Sequence, residues 1–329
     1  MQAQMSIVRE IIYASVARGA DFLELCKGVG VTPQALTDTE HASFEEAAIV
    51  WNVALKQTGD PLLGLHIGEK MNPSIVGMTG YLMQHSATME EALMLLCKFN
   101  DLYSTMMKFS FHRDGKSGAV SFEPAFLWLE KYPESVRQSV EYAMSGIVSI
   151  FLMMTGNRPA VEKIELAFPV RDRAAYDALF QCPVHFKAKQ NAIYFDQTLL
   201  ATKINTRDKT LFAFFNETLQ RKLNAIKSQS RISERIRHLV LTRFKGVVPP
   251  IGIAASALQL STRSMQRKLK EEDNMSYRGL GMSIKKEFSL SMMSNADVRI
   301  KDVAYLLGYS DSSAFKKAYN KWTSTPKQK

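Results

Sequence analysis

The chain has 329 residues, room for two domains at roughly 100–200 residues each. Its hydrophobic fraction of 46% excludes a wholly disordered chain. Lys and Arg number 42 against 32 Asp and Glu, a net charge of +10, and the excess is localised: residues 231–329 hold 19 basic and 8 acidic side chains, net +11, and the residues before them hold 23 and 24, net −1. A near-neutral front followed by a basic segment rich in Leu, Ile and Met predicts a folded domain that meets a polyanion, nucleic acid first.

Cys26, Cys97 and Cys182 lie far apart and none belongs to a CxxC, which argues against a disulfide framework and for a reducing compartment. Arg9 and Glu10 interrupt the apolar positions near the start, unlike a signal peptide. The longest apolar stretch, Gly146 to Met154, falls well short of the about 20 residues of a spanning helix. A cytoplasmic protein with no membrane partner is the expectation.

From Ser6 to about Asn100, apolar residues recur at three and four, as in Phe44, Ala47, Ala48, Trp51 and Leu55, so this stretch predicts helices. The pattern changes at Met107. Lys108 to His112 alternates, Asp114 to Gly118 supplies turn residues, and Ala119 to Phe122 alternates again, which predicts a hairpin. There follow a helix from about Pro133 to Thr155, a strand over Val161–Phe168, a helix around Arg171–Phe180, and short strands at Val184–Lys187 and Ala192–Phe195. The front, 1–206, is therefore an α+β domain. Asp208–Lys227 reads as one long helix, and Lys227–Ser230 as polar linker, giving an interdomain segment over 207–230. The rest, 231–329, is all-α: Arg231–Phe244, Gly252–Leu258, Thr262–Asp273, Arg278–Ser294, Ile300–Leu307 and Ser312–Trp322.

Two pairs of these helices share one design, at about 252–273 and 300–322. Each has a short apolar helix with a small Ala, a tight turn, a Ser or Ser-Asp as N-cap, and a second helix with basic residues on one side. Met265 and Leu269, and likewise Phe315 and Tyr319, recur at four and face the core. The outward positions are Thr262, Arg263, Gln266 and Arg267 in the first and Ser312, Ser313, Lys316 and Lys317 in the second. Such a face suits base and backbone recognition, since Arg reaches guanine O6 and N7 with two hydrogen bonds, Gln matches adenine, and Lys or Ser holds phosphates. An ordinary solvated helix face is the competing explanation for one such helix. Two copies inside the basic segment favour DNA.

Ala304, Leu307-Gly308-Tyr309, Ser310, Phe315, Tyr319, Trp322 and Pro326, in that order, make Lys301–Lys327 resemble the second helix-turn-helix of the AraC/XylS transcription regulators. Gly252–Tyr277 resembles the first, so the likeness covers essentially all of Arg231–Lys329. It implies two helix-turn-helix units joined by a linker helix, here Arg278–Ser294, that set two recognition helices in major-groove segments about 34 Å apart. Two features depart from the pattern. Ser and Lys stand in the second recognition helix where many relatives carry a base-reading Gln or Arg, which assigns specificity to Arg263, Gln266 and Arg267. The chain stops at Lys329, where relatives continue with an aromatic and Arg. Gly279 and Gly281 predict a weak linker helix, at roughly 1 kcal/mol each relative to Ala.

The front is similar to the arabinose-binding-type regulatory domain of one branch of that family, through Thr58-Gly59-Asp60-Pro61-Leu62-Leu63-Gly64-Leu65, Phe180-Gln181-Cys182-Pro183-Val184-His185-Phe186 and Asn191-Ala192-Ile193-Tyr194-Phe195-Asp196. The name is inherited and says nothing of arabinose here. The resemblance implies that the front senses a small molecule or physiological signal and self-associates as a homodimer, that the whole binds double-stranded promoter DNA, and that it acts as an activator through RNA polymerase. Met78, Tyr81, Phe99, Tyr103, Met106 and Phe109 are the residues expected around an effector pocket, whose Met and aromatic lining would suit an apolar effector.

Catalytic readings find no support. His41, His66, His85, His112, His185 and His238 show no HExxH or other ligand spacing, Gly28-Val29-Gly30 is a fragment of a dinucleotide loop with no strand before it, and no nucleophile elbow is present. No enzyme activity, metal or cofactor is expected. The alternative from another class is a ligand-binding or protein-interaction module whose basic domain meets an acidic partner.

Overall fold

The computed structural model describes all residues except 115–116, 158–160, 230, 245, 294–298 and 324–329. Part of the expected hairpin turn, the end of the expected polar linker at Ser230, Ser294, and the C-terminal residues around Pro326 lie outside the described residues. The chain divides into two units, Met1–Pro124 with Tyr132–Asn224, and Ala125–Lys131 with Ala225–Lys329.

In the first unit, β1 (Gln2–Gln4) leads into helices α1 (Met5–Val16), α2 (Phe22–Val29) and α3 (Ala35–Asp38), then β2 (His41–Ser43) and α4 (Phe44–Thr58). β1 and β2 pair antiparallel. The start of α4 is dictated locally: the Ser43 side chain accepts from the Glu46 N–H while the Glu46 carboxylate accepts from the Ser43 N–H, a reciprocal capping box. Next come α5 (Leu63–Gly68), α6 (Met78–Gln84) and α7 (Met89–Lys98). The hairpin is β3 (Met107–Asp114) and β4 (Ser117–Pro124), and α8 (Phe126–Lys131) separates it from α9 (Pro133–Thr155). Pro133 opens α9 at its first turn, where a missing N–H costs nothing, and Gly156 ends it in the left-handed conformation.

Then follow β5 (Val161–Leu166), α10 (Arg173–Phe180), β6 (Val184–Phe186), β7 (Asn191–Phe195), α11 (Gln197–Leu200) and α12 (Lys209–Gln229). The five-stranded sheet runs β3-β4-β7-β5-β6. Its pairs are antiparallel except β5 with β6, which run parallel around α10. The helices around α9 close tightly because α5 carries two glycines one turn apart. A Cβ on Gly64 would fall 2.1 Å from the Gln138 carbonyl oxygen, and one on Gly68 1.9 Å from Ser145 Oγ.

The second unit continues with α13 (Ile232–Thr242), α14 (Ile251–Ala257), α15 (Thr262–Asp273), α16 (Tyr277–Met293), α17 (Ile300–Leu306) and α18 (Ser312–Thr323). It has two cores. Ile232, Ile236 and Val240 of α13 meet Ala254, Ala255, Met265 and Leu269 in one. Val303, Ala304, Leu307 and Phe315 form the other. α16 joins them, giving Leu280 and Ile284 to the first and Phe288 to the second. The fold is thus an α+β front followed by an all-α region with two helix-turn-helix units on a shared rod. The α16 helix runs unbroken through Gly279 and Gly281, and Gly281 faces Val248, whose Cγ1 would stand 3.1 Å from an added Cβ.

Two boundaries differ from those read in the sequence. Leu219 and Leu223 of α12 pack with Leu82, Leu95 and Phe99, so α12 belongs to the first unit as far as Asn224 rather than forming an interdomain segment from 207. Ala125–Lys131, read within 1–206, belongs to the second unit, because Phe126 stacks on Phe288 with ring centroids 5.8 Å apart and Leu127 packs on the same core.

Candidate nucleic-acid interface

Each recognition helix is placed by an apolar face and capped by a side chain. In α15, Met265 and Leu269 are wholly buried, and Ser261 Oγ accepts from the Ser264 N–H at 3.1 Å. In α18, Phe315 is buried and Tyr319 packs beside it, with ring centroids 5.8 Å apart. Asp311 Oδ1 accepts from the N–H groups of Ser313 and Ala314, both at 2.8 Å. The Ala314 N–H, with the Ser310 hydroxyl and the Ser313 N–H, holds the Asp311 carboxyl below its ordinary range. These caps satisfy donors at the helix start and fix the angle at which each helix leaves its turn.

The opposite faces are open. Thr262, Arg263, Gln266 and Arg267 are exposed on α15, as are Ser313, Lys316 and Lys317 on α18, and Ser312 is half-buried. Arg267 lies 3.8 Å from Glu271, an exposed pair that costs little to release. Arg263, Gln266 and Lys316 have no hydrogen-bond or ion-pair partner among the described residues. Their donors therefore reach an arriving ligand without first breaking a protein contact.

Tyr305 of α17 escaped the sequence reading. It is 83% exposed, one turn from exposed Lys301, on the helix that precedes the second recognition helix. Its neighbours Ala304 and Leu307 are core residues, so the surrounding pattern read as packing throughout. Only the exposed aromatic in an apolar short helix could have signalled it.

Of the six residues expected around an effector pocket, Met78, Tyr81 and Phe99 meet at one cluster, against which Phe215 also packs. Met78 and Phe99 pack with Leu82, Leu95, Leu219 and Leu223, and Tyr81 stacks on Phe215 of α12 with centroids 5.7 Å apart. Tyr103 donates to the Leu96 carbonyl at 3.0 Å. Its ring meets Phe109, which meets Phe122 at 4.9 Å. Met106 is buried. Among the described residues, no cluster of His, Cys, Asp and Glu is placed to hold a metal ion, and no helix is long and apolar enough to cross a membrane.

Known families match both parts of the chain. Residues 19–204 match the family model of the arabinose-binding domain of AraC transcription regulators, N-terminal, and residues 254–328 match a helix-turn-helix domain. The chain is similar to the ornithine utilization regulator of Pseudomonas aeruginosa, 23% identical over 98% of this chain and 97% of that one. It is also similar to the HTH-type transcriptional regulator VqsM of the same organism, 20% identical over 86% and 87%. Among solved structures it resembles the transcriptional regulator CdpR from Pseudomonas aeruginosa, with a TM-score of 0.45 and 22% identity, covering 91% of this chain and 92% of that one.

Proposed function

This chain belongs to the AraC-type transcription regulators with an arabinose-binding-type N-terminal domain, a family of DNA-binding helix-turn-helix proteins, and from that premise we propose how its residues divide the work. Arg263, Gln266 and Arg267 of α15 read base edges, with Thr262 beside them. Lys316 and Lys317 of α18, with Ser312 and Ser313, grip phosphates. Tyr305 and Lys301 add a backbone contact from α17, the helix that crosses the phosphates in such units.

The first unit senses a small molecule and pairs two copies of the chain. The effector shifts the population of protomer arrangements and so the fit to paired half-sites. The complex activates transcription at promoter DNA through RNA polymerase, in the cytoplasm. Ornithine utilization, in the name of one relative, is a property of that protein; for this chain it places amino acids among the effectors to test.

The observation that supports this division is the pair of two-faced helices, each with its apolar side buried and an outer side on which Arg263, Gln266 and Lys316 have no hydrogen-bond or ion-pair partner among the described residues. Selection of genomic fragments by the purified protein, against excess random DNA and at moderate salt, tests it. A few fragments should be retained by a ratio of at least about 10³ over random sequence. Uniform retention would instead favour an acidic protein partner for the basic unit.

A further inference from the structure

Helix α8 belongs to the second unit, while Pro124 before it and Tyr132 after it belong to the first. Both neighbours are anchored. Pro124 closes β4 in register with Met107 of β3. Tyr132 donates its hydroxyl to Glu45 Oε2 at 2.5 Å and sets its ring edge-on to Phe44, with centroids 6.1 Å apart. Ala125 alone joins β4 to α8, and Tyr132 alone joins α8 to α9. The Ala125 carbonyl accepts from the Trp128 and Leu129 N–H groups at 3.0 and 3.1 Å, and the Tyr132 carbonyl accepts from the Val136 N–H at 3.1 Å, so each connector is already bonded into the helix that follows it. Pro124 and Pro133 restrict φ at the two crossings, and no glycine occurs between Gly118 and Gly146. Neither connection has slack.

Within the second unit, Phe126 stacks on Phe288, and Leu127 packs on the same core. Phe288 is 3% exposed, and a Cβ on Gly246 would stand 3.0 Å from its Cζ. The ring is thus closely held. It shares its core with Val303, Leu307 and Phe315, and Phe315 is the residue that seats α18, next to exposed Lys316 and Lys317. In a close-packed core one ring does not shift without displacing the next.

We propose that Phe126 is a positioning residue for DNA binding. Seated on Phe288, it fixes the core on which α18 is mounted, and α8 carries the state of the first unit to that helix and the state of that helix back. The proposal goes beyond the division of labour given above and rests on α18 as a DNA-contacting helix. Coupling of this kind is reciprocal, so DNA bound at α18 alters the stability of the chain on either side of α8.

Hydrogen exchange of the full-length protein, with and without a random-sequence DNA duplex at low salt, tests the proposal. DNA should slow exchange in α15 and α18, which reports the binding itself. It should also slow β4 and the first turns of α9, by about fivefold or more. This comparison uses the unaltered protein, so it does not depend on a variant folding. Phe126→Ala should abolish the slowing in β4 and α9, and Phe126→Trp, which keeps a ring for the stack, should retain it. A Phe126 that merely filled the core would leave β4 and α9 indifferent to DNA in every variant. Slowing confined to α15 and α18 would therefore overturn the proposal and leave the DNA-contact assignment standing. Slowing of β4 and α9 that survives in Phe126→Ala would also overturn it, and would assign the path to α12, within which the chain makes its remaining crossing after Asn224. No slowing in α15 or α18 would overturn the DNA-contact assignment and the proposal with it.

Discussion

Gln259 and Gly308 hold the same left-handed backbone position, φ 57° and φ 70°, in the turns of the two helix-turn-helix units. In each turn the following residue donates back to the helix, Leu260 to the Ala255 carbonyl and Tyr309 to the Ala304 carbonyl, both at 2.9 Å. The second unit uses the residue without a Cβ. The first sets a long side chain in a conformation that costs about 1–2 kcal/mol for an L residue. Gln259→Gly is therefore expected to stabilise the C-terminal unit by up to about 1 kcal/mol, and Gly308→Ala to destabilise it by about 1 kcal/mol. Urea unfolding of the two variants checks both signs.

Phe288 and Ile284, one turn apart on α16, serve different cores. Phe288→Ala should cost about 3–5 kcal/mol, because it removes the ring that packs against Val303, Leu307 and Phe315 and stacks on Phe126. Hydrogen exchange should show faster exchange in α17 and α18 while α13 and α15 keep their protection.

The cap of α18 gives a pH dependence with a definite sign. The folded-state pKa of Asp311 lies below its ordinary value, mainly through the Ala314 N–H. Its contribution is therefore complete above the unfolded value of about 3.9 and lost as pH falls through the folded value. Asp311→Asn keeps an acceptor for the cap but no ionisation. Its unfolding temperature should fall less steeply between about pH 5 and pH 2 than that of the unaltered protein, as differential scanning calorimetry would show.

The recognition helices were legible because their information is local. Met265 and Leu269, and Phe315 and Tyr319, define the buried side, and the polar residues between them must then point away. Long-range placement was not legible. Phe126, Leu127 and Trp128 follow β4 directly and read as part of the front, and nothing local indicates that Phe126 stacks on a ring far along the chain. The strand order β3-β4-β7-β5-β6 likewise depends on pairings between segments that are short and similar. Arg137 and Glu141, spaced at four on a helix, have the signature of a solvated surface pair. What buries them is a partner outside their helix, Tyr176, whose hydroxyl the spacing cannot reveal. Tyr305 was hidden by the opposite effect, an exposed ring in a run of core residues.

The division of labour between the two recognition helices is tested most directly by binding of Arg263→Ala and Lys316→Ala to a retained genomic fragment and to random DNA across a salt series. Arg263→Ala should lose about 1–3 kcal/mol on the specific site alone and relax base choice at one position. Lys316→Ala should weaken both DNAs alike and reduce the slope of log K against log salt by about 1. Equal losses on specific and random DNA for both variants, with unchanged slopes, would contradict the account.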